Sequence, residues 1–112
     1  SLEGNVEAAC RYLRLILDTY FNDPALDQLN RHLFALAAYN AGPNRVQALR
    51  AKAQAAGLDP NVWFGNVEQL VANEVGQGPI NYVSTIYKYY VAYRFSLPQL
   101  EGKAAAIEAA RP

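Results

Sequence analysis

The residues best suited to chemistry lie where an apolar stretch ends, in the run Ala-Tyr-Asn-Ala-Gly-Pro over residues 38–43. Tyr39 and Asn40 place a phenol beside an amide, and Gly42 lets another chain or a ligand approach the backbone closely. The amide both donates and accepts hydrogen bonds, and the aromatic face can stack on a sugar ring. The pair therefore suits a ligand rich in hydroxyl and N-acetyl groups. The alternative is purely structural: a helix C-terminus in which Asn40 is left-handed and Tyr39 packs.

The remaining candidates for chemistry favour structural roles. Five tyrosines between Tyr82 and Tyr93 cover several faces of one helix, so most of them are expected in the core, with one or two hydroxyls reaching a groove. His32 is a lone histidine near a helix start and is expected to face solvent or to be structural. The ten carboxylates form no evident catalytic pair. Glu74 lies near an apolar stripe, and a structural role is expected for it.

Composition excludes several functions. A chain of 112 residues makes one domain, and ten basic against ten acidic residues give no electrostatic argument for nucleic acid or an anionic membrane. No apolar run is long enough to span a membrane. One cysteine and one histidine cannot form a zinc site, and no cofactor is expected. A Cys–His nucleophile pair is disfavoured because Cys10 is predicted to lie on a buried helix face.

An all-α fold follows from the periodicity, since apolar residues recur at steps of three and four and no long alternating run is present. A stripe predicts a first helix over 6–21. Asn30 is the expected N-cap of a second, largely buried helix that leads to Tyr39. Pro43 suits the first turn of a third helix, whose solvated side carries Arg50 and which Gly57 ends.

The second half of the chain predicts three more helical segments. Asn66 with Gln69 imitates a capping box for a helix that ends near Val75. After the break at 76–79, a tyrosine-rich helix is expected from about residue 80 to 95. Pro98 opens a tail, residues 97–112, that contains an alanine-rich helix. About five to seven helices in a single partial domain, residues 1–112, are therefore expected.

Three ordered motifs resemble the soluble lytic transglycosylase (SLT) domain of the lysozyme-like superfamily. Residues 38–42 match its Ala-Tyr-Asn-Ala-Gly motif. Residues 5–13 resemble its Asn-Ile-x-Ala-Gly-x-x-Tyr-Leu helix, with Ala9 in place of the glycine. Asn81-Tyr82-Val83 resembles its closing tyrosine-valine motif, although Gly-Pro stands where Glu-Thr often precedes that tyrosine. The insert over 60–68 is similar to the membrane-bound murein transglycosylase F branch.

The resemblance also shows what this chain lacks. In the family, the catalytic residue is a glutamate in a Glu-Ser motif that is followed by Gly-Leu-Met-Gln, and both precede the helix matched by residues 5–13. Neither segment occurs here, and Glu3 is too close to that helix to correspond. The chain is thus expected to be the C-terminal helical part of the domain. Its catalytic glutamate is expected upstream of Ser1.

The implied reaction is cleavage of the β-1,4 bond between N-acetylmuramic acid and N-acetylglucosamine, which leaves 1,6-anhydro ends. Peptidoglycan glycan strands are the implied partner, in the periplasm or bacterial cell envelope, with outer-membrane association as one option. By the resemblance, the saccharide-contacting residues are Tyr39, Asn40, Ala41, Gly42 and Tyr82. The chain alone is expected to be inactive, and its exposed groove surface is expected to promote self-association.

Two other functions remain open at this point. The first is a non-catalytic glycan-binding or scaffolding module that keeps the groove wall without an acid. The second is an unrelated helical interaction domain whose tyrosine-rich helix is a partner surface. The upstream sequence would separate the first from an enzyme, and an absence of glycan binding would favour the second.

Overall fold

The computed structural model describes residues 1–111 and contains only helices and connecting loops over that range. This confirms the all-α prediction. A short irregular segment, Trp63–Val67, precedes the fourth helix and contains non-helical backbone at Phe64 and Gly65. The five helices are α1 (Leu2–Tyr20), α2 (Gln28–Ala41), α3 (Pro43–Ala55), α4 (Glu68–Glu74) and α5 (Gln77–Ala109).

Helix α2 is the centre of the fold and packs against α1, α3 and α5. Its buried side includes Leu33, Phe34 and Ala37, which confirms the prediction of a buried second helix. The Phe34 ring stacks on Phe21 at 5.9 Å between centroids and meets the edge of Trp63 at 6.1 Å. Aromatic side chains from α2, from the loop before it and from the segment before α4 therefore form the middle of the core.

The start of α2 differs from the prediction. Asp27, and not Asn30, is the N-cap: its carboxylate accepts the backbone N–H of Asn30 at 2.7 Å. Asn30 lies one turn inside the helix and is buried, and its side-chain carbonyl accepts the N–H of Trp63 at 2.9 Å. The asparagine thus satisfies a buried donor that is 33 positions away in sequence, which local pattern could not reveal.

A single residue, Gly42, joins α2 to α3. It has φ +97°, a left-handed value that favours glycine, and Pro43 follows as the first residue of α3, as predicted. No non-glycine residue among those described has a positive φ. The interpretation of Asn40 as left-handed is therefore wrong, because Gly42 makes the turn two positions later.

Two polar residues of the middle segment were misplaced by sequence reasoning. Arg50 is not on a solvated side: it is 9% exposed, lies 5.0 Å over the Phe34 ring, and donates to the Pro60 carbonyl at 2.8 Å. Asn66 does not cap α4: its side chain accepts from the Asp59 N–H at 2.9 Å and closes the loop instead. Both side chains use long-range partners that periodicity does not encode.

Helix α5 is continuous where a break was predicted. Pro98 lies inside it and lacks the N–H that would bond to the Arg94 carbonyl, but this part of the helix is exposed, so water can satisfy that carbonyl. The predicted separate tail helix is therefore the outer end of α5, and Pro112 lies outside the described residues. The helix extends a molecule that measures 64 × 32 × 28 Å.

Two predictions of burial are wrong because the outer parts of α1 and α5 pass beyond their neighbours. Three of the five tyrosines on α5, Tyr89, Tyr90 and Tyr93, are more than half exposed. Cys10 is also exposed, since the buried side of α1 includes only Ile16. Among residues 1–111, no helix is both long and apolar enough to cross a membrane.

Candidate functional site

Three tyrosines from three helices meet at the C-terminal end of α2. The Tyr39 ring stacks nearly parallel on Tyr82 of α5, with centroids 6.1 Å apart and planes 11° apart. On its other side, Tyr12 of α1 meets Tyr39 edge-to-face at 5.5 Å. We call Tyr12, Tyr39 and Tyr82 the tyrosine triad. It forms a partly exposed aromatic surface across α1, α2 and α5.

Asn40 lies beside the triad in the last turn of α2. Its side chain is exposed, and its carbonyl oxygen is 3.9 Å from where a Cβ on Gly78 would stand. The amide is thus close to the first turn of α5, one helical turn before Tyr82. Ala41 and Gly42 are half-buried behind it and turn the chain into α3.

The structure therefore brings together Tyr39, Asn40 and Tyr82, which sequence reasoning selected. It adds Tyr12, which that reasoning left out of the site. A signal was available: Tyr12 is the tyrosine of the family motif that residues 5–13 resemble, and it lies outside the apolar stripe of α1.

Burial raises the pKa of the Tyr82 phenol, and the neighbouring Tyr39 hydroxyl raises it further. Both effects disfavour the phenolate. At neutral pH, Tyr82 therefore keeps its proton and can act as a hydrogen-bond donor. The triad presents aromatic faces and hydroxyl groups, a surface that suits a sugar better than a charged ligand.

We expect Tyr82 to ionise at higher pH than an ordinary tyrosine. Its folded-state pKa is raised, so its contribution to stability is complete below the unfolded pKa of about 10 and is lost as pH rises through the folded value. Absorbance titration of the tyrosines, compared between the chain and its Tyr82→Phe variant, identifies this group. Tyr39→Phe should move the Tyr82 pKa down. An unshifted Tyr82 in the unaltered chain would contradict the geometry of the triad.

An apolar groove lies along the same side of α2, between α1 and α5, and encloses about 600 Å³. His32, two turns before Tyr39 on α2, lies in this groove; burial and then the Arg31 charge lower its pKa. The ring is partly exposed, in keeping with the solvent-facing or structural role expected of it. The groove is lined mainly by Leu13, Leu17, Leu29, Leu36, Ile86, Tyr87 and Tyr90.

Most carboxylates are engaged elsewhere. Glu74 forms an ion pair with Lys52, and its backbone carbonyl accepts from Arg45 at 3.0 Å, so it ties α4 to α3. Within residues 1–111, no carboxylate forms a hydrogen bond or ion pair with the tyrosine triad or Asn40, and no group of three metal-ligating side chains is present. Other carboxylates in ion pairs, caps or turns are Glu7, Asp18, Asp23, Asp27, Asp59, Glu68 and Glu108.

Comparison with known proteins gives a consistent result. The transglycosylase SLT domain model matches residues 2–62. The membrane-bound lytic murein transglycosylase F of Stutzerimonas stutzeri (strain A1501) is 32% identical over 97 residues, which cover 73% of this chain and 20% of that protein. The protein of the same name from Pseudomonas fluorescens is 28% identical over 91% of this chain and 24% of its own length.

The chain thus spans about a fifth to a quarter of the length of the curated relatives it matches. No solved structure matches it significantly. The family model includes both the α1 motif and the Tyr39–Asn40 motif, the two segments that contribute Tyr12, Tyr39 and Asn40 to the site. The chain belongs to the transglycosylase SLT domain family.

Proposed function

We propose that this chain forms part of the saccharide groove of a peptidoglycan lytic transglycosylase. The observation that supports this most is the tyrosine triad with Asn40 beside it, because it offers sugar-stacking faces and a donor–acceptor amide in one place. The whole protein would act on glycan strands in the bacterial cell envelope, on the periplasmic side. It would cleave the β-1,4 bond after N-acetylmuramic acid and leave 1,6-anhydro ends.

The reaction needs one carboxyl group that acts twice. As an acid, it gives its proton to the glycosidic oxygen as the bond to the muramic acid C1 breaks. As a base, it then takes the proton of the sugar's own 6-hydroxyl while that oxygen bonds to C1. No water is consumed, and the attacking group is already part of the substrate, so proximity replaces the second carboxylate of the hydrolases.

We place this glutamate outside residues 1–112, since no carboxylate of the described residues forms a hydrogen bond or ion pair with the triad or Asn40. The residues present would instead bind and orient the sugar. Asn40 would hydrogen-bond an N-acetyl group, Tyr39 would stack on a ring, and the protonated Tyr82 would donate to a hydroxyl. Tyr12 would hold Tyr39 in position through its edge contact.

A second function is favoured by the same observation, that no described carboxylate forms a hydrogen bond or ion pair with the triad or Asn40. The chain could belong to a glycan-binding or scaffolding module that keeps the wall of the groove without catalysis. The two proposals share the binding surface and differ only in whether the whole protein supplies a glutamate to it. Glycan binding by this chain therefore tests the binding surface that both proposals share. Turnover by the longer protein tests whether a glutamate is supplied to that surface.

The binding test uses NMR titration of the chain with a soluble peptidoglycan glycan fragment. We expect weak binding, in the range of about a millimolar dissociation constant, with shifts concentrated at Tyr39, Asn40 and Tyr82. Asn40→Ala should weaken binding, whereas Asn44→Ala, at an exposed position of α3, should not. No shifts at the triad, or equal effects of the two variants, would reject this surface as the glycan site.

A further inference from the structure

Helix α5 has a regular apolar repeat along its length. Apolar residues recur at alternating steps of three and four for three and a half heptads, which is the sequence signature of a coiled-coil seam. A run this long, with charged residues beside it, is not needed to pack one helix on a small domain. The seam positions are Val83, Ile86, Tyr90, Tyr93, Leu97, Leu100, Ala104 and Ile107.

Only the inner end of this seam is covered by the chain itself. Val83 is fully buried, and Ile86 lines the apolar groove along α2, between α1 and α5. Tyr90 lies at the outer end of that groove, and beyond it the seam is largely exposed: Tyr93 is 56% exposed and Ile107 is 66% exposed. The repeat that serves the core thus continues along a projecting helix whose apolar side faces water.

We propose that this outer half of α5 pairs with the same segment of a second copy of the chain, as an antiparallel two-stranded coiled coil. The helices of such a pair lie about 8–10 Å apart. The folded body, about 30 Å across, surrounds the inner end of the same seam. A parallel pair would bring two bodies to one end and make them collide. An antiparallel pair places them at opposite ends.

Side-chain sizes are complementary in one antiparallel register. With the two-fold axis between Pro98 and Gln99, Leu97 lies opposite Leu100 of the second copy. In the same register, each bulky Tyr93 lies opposite a small Ala104. Tyr90 lies opposite Ile107 at the mouth of the apolar groove. A parallel register would instead set tyrosine against tyrosine at two successive layers.

Charge is complementary in the same register. Positions Arg94 and Glu101 flank the seam, seven residues apart, and neither forms an ion pair within residues 1–111. The antiparallel register pairs Arg94 of each copy with Glu101 of the other, so two inter-helix ion pairs form. Charges that flank a seam set partner choice and orientation. Pro98 faces away from the seam in this arrangement and does not obstruct it.

The first test is a charge exchange, read by light scattering and sedimentation at protein concentrations up to about 100 μM. We expect the unaltered chain to dimerise and Glu101→Arg to weaken the dimer at least about tenfold, because two like-charged pairs replace two ion pairs. Adding Arg94→Glu to that variant should restore the dimer. Lys88→Glu, an equal charge change on the outward side, should have no effect.

The second test measures geometry by spin labels placed singly at Gln99 and Lys88, after the exposed Cys10 has been replaced by serine. The antiparallel pair predicts a short distance between labels at Gln99 and about 30 Å between labels at Lys88, from the helical rise. Equally short distances at Gln99 and Lys88 would overturn the antiparallel pair. A chain that is monomeric at every concentration would also overturn it, as would a Glu101→Arg dimer defect that Arg94→Glu does not restore. Circular dichroism confirms that each variant remains helical.

Discussion

The 112-residue chain is expected to release no 1,6-anhydro muropeptides from peptidoglycan, whereas the longer protein that supplies a glutamate to the groove is expected to release them. General acid assistance alone contributes about 10²–10⁴-fold to such a step, and the held 6-hydroxyl adds to that. Among residues 1–111, no carboxylate forms a hydrogen bond or ion pair with the triad or Asn40, so we expect this chain to lack the proton donor. Chromatography of digested peptidoglycan with mass detection measures the product.

Variants of the longer protein test which residues form the wall. Asn40→Ala should lower activity roughly tenfold, about the effect of one lost hydrogen bond in the transition state. Tyr39→Ala should also lower activity, because it removes the ring face on which the sugar would stack. His32→Ala should lower it less, because His32 lies in the apolar groove, two turns away from Tyr39. If the short chain releases anhydro product and replacement of Glu74 abolishes it, the catalytic centre lies within this chain and the proposal is wrong.

Phe34→Ala is expected to cost about 3–5 kcal/mol of the free energy of unfolding. Phe34 is fully buried, stacks on Phe21, meets the edge of Trp63 and lies under the Arg50 guanidinium. Its removal leaves a cavity among side chains from both halves of the chain. Since a domain of this size has only about 5–15 kcal/mol in all, the variant should be marginal at room temperature. Denaturant unfolding followed by circular dichroism measures the loss.

The matched control is Phe95→Ala, the same chemical change at a position that is 81% exposed. It should stay within about 0.5 kcal/mol of the unaltered chain. Both variants are to be compared at one protein concentration, because self-association would add to apparent stability. Equal losses for the two substitutions would mean that Phe34 is not the centre of the core.

Periodicity predicted well the features that depend on local sequence. The buried α2 and the turn that carries Gly42 and Pro43 lie close to the expected positions, and α5 starts at Gln77, three residues before the expected start at about residue 80. They could be predicted because stripes, proline at a first turn and glycine at a bend act over a few residues. The same short-range signals predicted that Tyr39 and Asn40 lie at the end of a helix, and both residues lie in the last turn of α2.

The errors concern features that depend on distant partners or on where the packed body ends. Asparagine is a typical N-cap residue, but the Asn30 side chain instead accepts a hydrogen bond from the backbone N–H of Trp63, across the fold. Arg50 has the spacing of a solvated residue, but its planar guanidinium is satisfied by the loop at Pro60 and covers Phe34. The outer tyrosines of α5 recur at the spacing typical of core residues, but they lie beyond the packed core and are exposed. No local pattern contains this information.

The one-residue joint between α2 and α3 has a consequence for ligand affinity. Asn40 and Tyr39 sit within three residues of Gly42, and α3 is packed into the core at Val46 and Leu49 directly after it. No flexible loop separates the two helices, so Tyr39 and Asn40 are attached to backbone that is already ordered before a ligand binds. A sugar that binds them would lose little affinity to loop ordering, and its binding entropy would reflect mainly its own immobilisation and released water.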